Sequence, residues 1–535
     1  MKKKLLLQAI LLIALYGNSQ EITLFRDINE SGGSNSSNHT VVDDLLFFAA
    51  DDGINGNELW ATNGLEEETY LVKDLLPGAV GGSVTDLIEL GDKLYFKATN
   101  GTSGYELWVS DGTSLGTDMV IDIYPGATSA NINNITKFNE KLYFSADNGV
   151  DGTELWVSDG TTEGTQMLRD ISPGSGSSIP RNFKELNDKL YFSANNGEVG
   201  DELWVTDGTA IGTELIKDIQ VGAGSSWIGG LTLFNDKIFF YATSDVGDEI
   251  WMTDGTTDGT VLLRDINPTG SSYSEFYTVL NDKMLFAAND GSNGSELWGT
   301  DGTTEGTELL MDINLGVEGS NPLHLFEFND RIYFGANNGT VGSELWTTDG
   351  TLEGTQLLKD INPGSGFSGV RNFTIFNGKL YFSAIDGSNG SELWVTDGTE
   401  DGTVVLLPAI APNFSPLAST YSFTEFNGYL YFNADYTSVE SELWRLKGSL
   451  STIAEEVNQV NLSVYPNPAK NALFIGNEAK EILDFHIFDL SGKEMLSDSS
   501  IVGNQINITT LKPGVYLLQV KTEDGLNTTR FVKMN

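Results

Sequence analysis

Acidic side chains are the most abundant groups in this sequence that could do chemistry, and they recur at fixed places. Asp and Glu total 75 against 30 Lys and Arg, which gives a formal net charge of −45. One glutamate stands two residues before each of nine regularly spaced tryptophans, and Gly-rich loops with Asp and Asn precede several of these glutamates. Oxygen-rich loops can hold Ca²⁺, and a pair of carboxylates can hydrolyse a glycosidic bond.

The loops that contain Asp147, Asp151 and Asp290 are the candidates for a calcium site. They read Asp-Asn-Gly-Val-Asp-Gly-Thr from Asp147 and Asp-Gly-Ser-Asn-Gly-Ser from Asp290. Neither loop has the spacing of an EF-hand loop or of the Gly-Gly-x-Gly-x-Asp nonapeptide. Turns closed by Asp and Asn side chains explain the same composition. Calcium and turn formation therefore stand as alternative interpretations of these loops.

No catalytic residue can be assigned from the sequence. The chain has no Cys and only three histidines, at positions 39, 324 and 486. It has no serine nucleophile elbow, Walker loop or His-Glu-x-x-His sequence. We therefore expect a protein that is not an enzyme, with a carboxylate-dependent glycoside hydrolase or lyase as the alternative.

Tryptophan is the second residue type with a chemical use, because its flat face can stack on a sugar ring. Nine of the ten tryptophans recur at intervals of 47 to 50 residues within the sequence Glu-Leu-Trp, or Glu-Ile-Trp in the fifth unit. A Trp at the same place in every repeat is expected to pack between neighbouring sheets. Trp227 lies outside this series, in a Gly-rich loop, and is the weak candidate for a ligand-binding residue.

The elements that position these residues are short strands. Each unit of about 48 residues has four stretches of β character, separated by Asn-Gly or Asp-Gly, Asp-Gly-Thr and Asn-Pro-Gly turn sequences. The last stretch, Leu-Leu-Lys-Asp-Ile in the seventh unit, has charges that suit an edge strand. We predict an all-β protein in which residues 20–448 form a propeller of nine four-stranded blades.

The two ends of the repeat array predict how the ring closes. The sequence Ile-Thr-Leu-Phe-Arg-Asp-Ile from Ile22 matches the fourth strand of a unit, although no first, second or third strand stands before it. The ninth unit supplies three strands up to Leu446 and no fourth. Pairing of Ile22–Ile28 beside Glu442–Leu446 would complete the ninth blade and leave no free sheet edge.

The repeat array resembles the Glu-Leu-Trp-x-x-Asp-Gly-Thr repeat family of exported bacterial surface proteins. The signature occurs seven times between Glu106 and Thr399, once with Ile in place of Leu. The first unit departs at Asn63-Gly64 and the ninth at Arg445–Gly448. The resemblance implies a surface or secreted location and no particular activity.

Both ends of the chain predict export. Lys2–Lys4, the apolar Leu5–Leu15 and the small residues Gly17 and Ser19 form a signal peptide, residues 1–19, with cleavage between Ser19 and Gln20. Residues 449–459 are a polar linker, and residues 460–535 are predicted to fold as a small Ig-like β-sandwich.

The C-terminal segment resembles the type A sorting domain of the type IX secretion system of Bacteroidetes-type bacteria. The resemblance rests on Tyr-Pro-Asn-Pro at 465–468, Asp-Leu-Ser-Gly-Lys at 489–493, Gly-Val-Tyr at 514–516 and a basic end. It implies transport by the type IX machinery across the outer membrane, followed by release or by attachment to surface lipopolysaccharide.

The leading functional hypothesis is a secreted or cell-surface binding module. Its ligand would be a glycan or another surface protein, and no transmembrane segment is expected in the mature protein. The strong negative charge argues against nucleic acid as a partner. A third alternative is a structural surface protein stabilised by calcium.

Overall fold

The chain is built from strands throughout the part that the structure describes. The computed structural model describes residues 22–388, 390–407, 423–435, 441–448, 464–465, 469–475, 482–488, 494–498, 505–522 and 525–534. Within these residues the only helix is a 3₁₀ turn at Glu66–Glu68. The chain divides into two compact units between Ser449 and Leu450. The predicted cleavage residues Ser19 and Gln20 lie outside the described residues.

The first unit is a ring of nine four-stranded antiparallel sheets, so the predicted nine-bladed propeller is confirmed. The strands of a blade are named A to D, counted outwards from the centre. Strand A of each blade from 1 to 7 contacts strand A of the next, and strand A of blade 9 contacts that of blade 1.

The strand boundaries repeat closely from blade to blade. Strand A spans Ser37–Val42, Thr85–Leu90, Asn133–Phe138, Arg181–Leu186, Gly229–Phe234, Glu275–Leu280, Leu323–Phe328, Arg371–Phe376 and Thr424–Phe426 in blades 1 to 9. Strand B spans Leu45–Asp51, Lys93–Thr99, Lys141–Asp147, Lys189–Asn195, Lys237–Ser244, Lys283–Asn289, Arg331–Asn337, Lys379–Ala384 and Tyr429–Ala434. Strand C spans Asn57–Thr62, Tyr105–Ser110, Thr153–Ser158, Asp201–Thr206, Gly247–Thr253, Ser295–Thr300, Ser343–Thr348, Glu392–Thr396 and Glu442–Lys447. Strand D spans Thr69–Lys73, Asp118–Ile121, Gln166–Arg169, Glu214–Lys217, Val261–Arg264, Glu308–Met311, Gln356–Lys359, Val404–Leu407 and, in blade 9, Ile22–Arg26.

Strand B is apolar on both faces because neighbouring blades cover both. In blade 4, all residues from Leu190 to Ala194 are buried, as expected for a strand enclosed between two layers. The preceding A–B turn is two residues long, and Asn187 and Asp188 both have positive φ, 52° and 57°. Asn and Asp tolerate this conformation, which matches the twist of the paired strands.

The ring closes through its N-terminal strand, as predicted. Ile22 pairs with Leu446 and Leu24 with Trp444 in an antiparallel ladder. The guanidinium carbon of Arg445 lies 4.8 Å from the ring centre of Phe25 and 4.2 Å from that of Tyr429. The departure of the ninth unit from the repeat thus supplies a cation that stacks across the seam.

Strand D lies at the edge of each sheet, as predicted. The basic residue at its end also ties its blade to the next one. The Lys217 ammonium donates to the Thr260 carbonyl at 2.8 Å, and the Arg169 guanidinium donates to the Thr213 carbonyl at 2.5 Å. Each acceptor belongs to the C–D loop of the following blade.

The second unit consists of two antiparallel sheets. One contains Val464–Tyr465, Ala472–Ile475 and Gln505–Asn507, and the other contains Ile482–Phe488, Glu494–Asp498, Gly514–Thr522 and Gly525–Lys533. Leu473 of the first sheet and Phe485 and Leu518 of the second belong to one hydrophobic cluster. The finer class, an Ig-like sandwich, stays a prediction.

We expect Arg445→Met to weaken ring closure. The change keeps a long aliphatic stem but removes the stacked cation and its hydrogen bond to the Gly64 carbonyl, 3.0 Å. We expect the free energy of unfolding to fall by about 1–3 kcal/mol. Thermal melting should shift down, and limited proteolysis should release residues around Ile22 earlier. Arg169→Met is the control, because it removes an inter-blade bond away from the seam. Equal release of the N-terminal strand in both variants would contradict this role for Arg445.

Candidate functional site

The repeated glutamate is buried and accepts hydrogen bonds from the loop that leads to the next blade. Glu58 is 0% exposed, and its carboxylate accepts bonds from the backbone N–H groups of Leu75, Leu76 and Gly82 at 3.1, 3.0 and 2.8 Å. The equivalent glutamates of the other blades are also buried. These carboxylates satisfy backbone donors that would otherwise be buried without partners, so they hold the ring together and are not exposed for catalysis.

Burial raises the pKa of Glu58 to about 7. The three N–H bonds favour the charged form and lower the pKa, but their effect is smaller than that of burial. Loss of solvation disfavours a carboxylate more than the neutral acid, and the nearby charge of Asp74 acts in the same direction. Because the folded-state pKa is raised, the contribution of this group to stability is fully present below the unfolded value near 4.5. It is lost as the pH rises through 7.

We expect Glu58→Gln to change how stability depends on pH. Gln does not titrate, so the melting temperature of the native protein minus that of the variant should be largest at about pH 5 and shrink towards about pH 8. Melting by calorimetry at both pH values gives this difference directly. A difference that grows with pH would mean that the three N–H bonds outweigh burial.

The rest of the repeat signature is also used for packing. The nine repeated tryptophans are 3–8% exposed, and Trp108 of blade 2 packs against Phe47 and Val72 of blade 1. Asp159 accepts bonds from the Thr161 N–H and hydroxyl at 2.9 and 2.7 Å, and these bonds lower its pKa. The signature residues thus have structural roles: the Glu and Trp are buried, and the exposed Asp and Thr bond to each other.

The calcium candidates form side-chain turns. Asp147 accepts a bond from the Gly149 N–H at 2.7 Å, and Asp290 accepts one from the Ser292 N–H at 2.8 Å. Asp151 accepts a bond from the Asn148 amide at 2.8 Å. Across the described residues, no three His, Cys, Asp or Glu side chains come together as potential metal ligands. The structure therefore does not bring these three residues together into one site.

Three consecutive blades depart from the repeat two residues before strand A. Ile179, Trp227 and Tyr273 stand there in blades 4, 5 and 6, and we call them the apolar rim. Their φ angles are 48°, 47° and 49°, and they are 50, 62 and 65% exposed. Blades 1, 2, 3, 7 and 8 have residues that suit a positive φ or a polar surface: Asn35, Ser83, Asn131, Asn321 and Gly369. Trp227 is therefore one of three neighbouring apolar residues and not a lone aromatic.

This backbone conformation is unfavourable for the rim residues. A left-handed conformation costs a β-branched or aromatic residue about 1–2 kcal/mol, and less for Asn or Gly. Large apolar side chains that are both strained and exposed do not stabilise the fold. Strain of this kind gathers at functional sites, so the rim is a candidate ligand surface.

A cavity of about 390 Å³ lies beside the rim, on strands A of the same three blades. We call it the niche; it is lined by Asn182, Phe183, Gly230, Leu231, Thr232, Phe276 and Tyr277. The second residue of strand A is Asn or Asp in blades 1 to 4 and 8, but Gly230 and Phe276 in blades 5 and 6. A side chain at Gly230 would collide with the Tyr277 ring, since its Cβ would lie 2.8 Å from a ring carbon. Glycine therefore keeps the niche open.

The same blades carry charged groups that the other units lack. Asp201 and Asp248 directly precede the buried glutamates of blades 4 and 5, where the other units have uncharged residues. Asp201 is 4% exposed and pairs with Arg181 at 2.7 Å. In blade 5 the position of Arg181 is taken by Gly229, and the Tyr241 hydroxyl fills the space, 2.1 Å from where a Cβ would lie. Asp248 therefore has no equivalent arginine.

Asp248 lies in an unusual electrostatic environment. Burial and then the negative charge of Glu275 in blade 6 raise its pKa to about 6. Its Oδ1 is buried, and no described residue donates a hydrogen bond to it. Burial, and then the charges of Glu275 and Asp248, raise the pKa of Tyr241.

The sequence contained a signal for this site that the repeat signature concealed. Aligning the units on the start of strand A, and not on the tryptophans, places Ile179, Trp227 and Tyr273 in one column. The left-handed backbone at that column is visible only in the structure.

We expect Trp227→Asn to stabilise the propeller by about 1 kcal/mol, because Asn tolerates the left-handed backbone. Trp227→Ala removes the same ring but keeps the strain, so it should not raise the melting temperature. Thermal melting of both variants measures the difference. Equal melting temperatures for the two variants would contradict strain at this position.

Comparison with known proteins identifies the C-terminal segment. Residues 463–534 match the family model described as a secretion system C-terminal sorting domain, which is the type IX tail expected from the sequence. A sorting domain of this type directs export to the cell surface or release from the cell. No curated protein sequence matches the chain significantly.

Solved structures resemble the chain only distantly. A puromycin hydrolase mutant complexed with PGG has a TM-score of 0.34 and 11% identity, over 67% of this chain and 59% of the hydrolase. The β-propeller domain of the Trilobed protease from Pyrococcus furiosus has a TM-score of 0.32 and 12% identity, over 60% and 94%. The extracellular domain of a putative one-component system from B. thetaiotaomicron has a TM-score of 0.33 and 11% identity, over 97% and 76%. Similarity at this level carries no information about ligand or activity.

No helix among the described residues is long and apolar enough to cross a membrane.

Proposed function

We propose that the propeller is an exported binding module and that the apolar rim and niche of blades 4 to 6 bind a glycan. One observation carries the proposal. Three neighbouring blades replace the residues of the scaffold, at one position, with exposed Ile179, Trp227 and Tyr273 in a strained backbone.

The chemistry of the surface favours a carbohydrate. Trp and Tyr offer flat apolar faces with a polar edge, which suit a sugar ring. The niche combines the aromatic rings of Phe183, Phe276 and Tyr277 with the amide of Asn182 and the hydroxyl of Thr232. Apolar walls with a few polar groups are typical of ligand sites.

A glycan-active enzyme is the second candidate, and Asp248 is the observation that favours it. A carboxyl group with a pKa of about 6 keeps its proton at mildly acidic pH and can act there as a general acid. Glu275 would then be the partner carboxylate of a hydrolase or lyase.

The test uses the full-length protein and a panel of neutral polysaccharides, with retention and new reducing ends measured in the same samples. We expect retention without new ends, and at least about a tenfold loss of affinity in Trp227→Asn and Tyr273→Asn. Ser83→Asn makes the same kind of change at the same position of blade 2 and should retain native affinity.

Each other result has a definite meaning. New reducing ends that disappear in Asp248→Asn would establish the enzyme. Binding that is equal in all three Asn variants would place the ligand elsewhere on the ring and contradict the proposed site.

A further inference from the structure

The charges around the niche select among glycans. Apart from the buried repeated glutamates, the acidic and basic side chains in the segments that form the rim, the niche and the adjoining starts of strands C are Arg181, Asp201, Asp248 and Glu275. Arg181 and Asp201 neutralise each other at 2.7 Å. The excess is therefore one negative charge, from Glu275, and it rises to two above about pH 6, where Asp248 is ionised; the next two residues of strand A in blade 4, Lys184 and Glu185, cancel each other.

Glu275 is the carboxylate that a ligand can reach. It is exposed, and it lies between the exposed Tyr273 of the rim and Phe276 of the niche. Asp248 lies behind it, close enough for the charge of Glu275 to affect its titration. No described residue forms a salt bridge with either carboxylate.

Carboxylates beside aromatic faces are a favourable environment for a cation. An ammonium group gains both from the charges and from the faces of aromatic rings. In blade 4, Asp201 is paired with the guanidinium of Arg181. In blade 5, Gly229 stands in place of that arginine, so Asp248 has no such partner. An anionic glycan would instead meet the excess of negative charge here and on a chain with a net charge of −45.

We propose that the rim and niche prefer a glycan that carries free amino groups, with an ammonium group beside Glu275 and the sugar rings against Trp227 and Tyr273. The inference rests on the proposed glycan-binding function and names the class of ligand. Flat sugar faces match the aromatic rim better than a peptide does, so a basic peptide is treated as a competing result of the test.

The experiment compares two oligomers with the same sugar backbone, one with free, charged amino groups and one in which these groups are acetylated and neutral. The full-length protein is titrated by calorimetry with β-1,4-linked glucosamine hexamer and with its fully N-acetylated form at about pH 5.5, where free amines are protonated. We expect the amine form to bind about tenfold more tightly, and its affinity to fall between about 50 and 500 mM NaCl. Glu275→Gln should bring the two affinities within about twofold.

Controls separate this inference from general attraction and from the proposed function. Glu163→Gln removes one negative charge from an exposed C–D loop of blade 3 and should leave the preference intact; an equal loss there would overturn the inference. Equal affinity for both oligomers in the native protein, with weaker binding of both by Trp227→Asn, would overturn the charge preference alone. Absence of binding to either would overturn the proposed function as well. A hexalysine peptide that binds as tightly as the amine oligomer would overturn the assignment to a glycan.

Discussion

The structure depends on one buried interaction that is repeated around the ring. In every blade whose following loop is described, a glutamate from strand C reaches into the loop that connects strand D to the next blade, as Glu58 does with the N–H groups of Leu75 and Gly82. The loop has no regular secondary structure, so its backbone donors need a partner when they are buried. The glutamate supplies that partner and fixes where the next blade begins. The repeated Trp, which packs in the core, and the cation of strand D at the outer edge stabilise the same contact between neighbouring blades.

A scaffold built in this way separates stability from function. The buried Glu, Leu and Trp that repeat in the units account for the contacts between blades, and the exposed Asp and Thr of the signature bond to each other. Two groups of residues that depart from the repeat have different roles. At the seam, Arg445 stacks on Phe25 and Tyr429 and so stabilises the contact between the first and last strands of the repeat array. In blades 4 to 6 the rim residues stabilise nothing, which is why the site is assigned there.

The sequence predicted the ring but not the site. The repeated sequence predicted the period, the four strands of each blade and the closing strand from Ile22, because similar sequences fold into similar blades. The donors to Glu58 are backbone N–H groups 17 to 24 residues away, and any sequence has such groups. Trp227 stood out by composition alone. Its neighbours Ile179 and Tyr273 did not, because the left-handed backbone and the adjacency of blades are properties of the fold.

The central claim is that ligand binding is confined to the departure from the repeat. A crystal structure of the full-length protein soaked with the tightest-binding oligosaccharide tests it most directly. The account predicts sugar density against Trp227 and Tyr273 and in the cavity beside Gly230. Density on the uniform blades instead, or repeated equivalently around the ring, would contradict it.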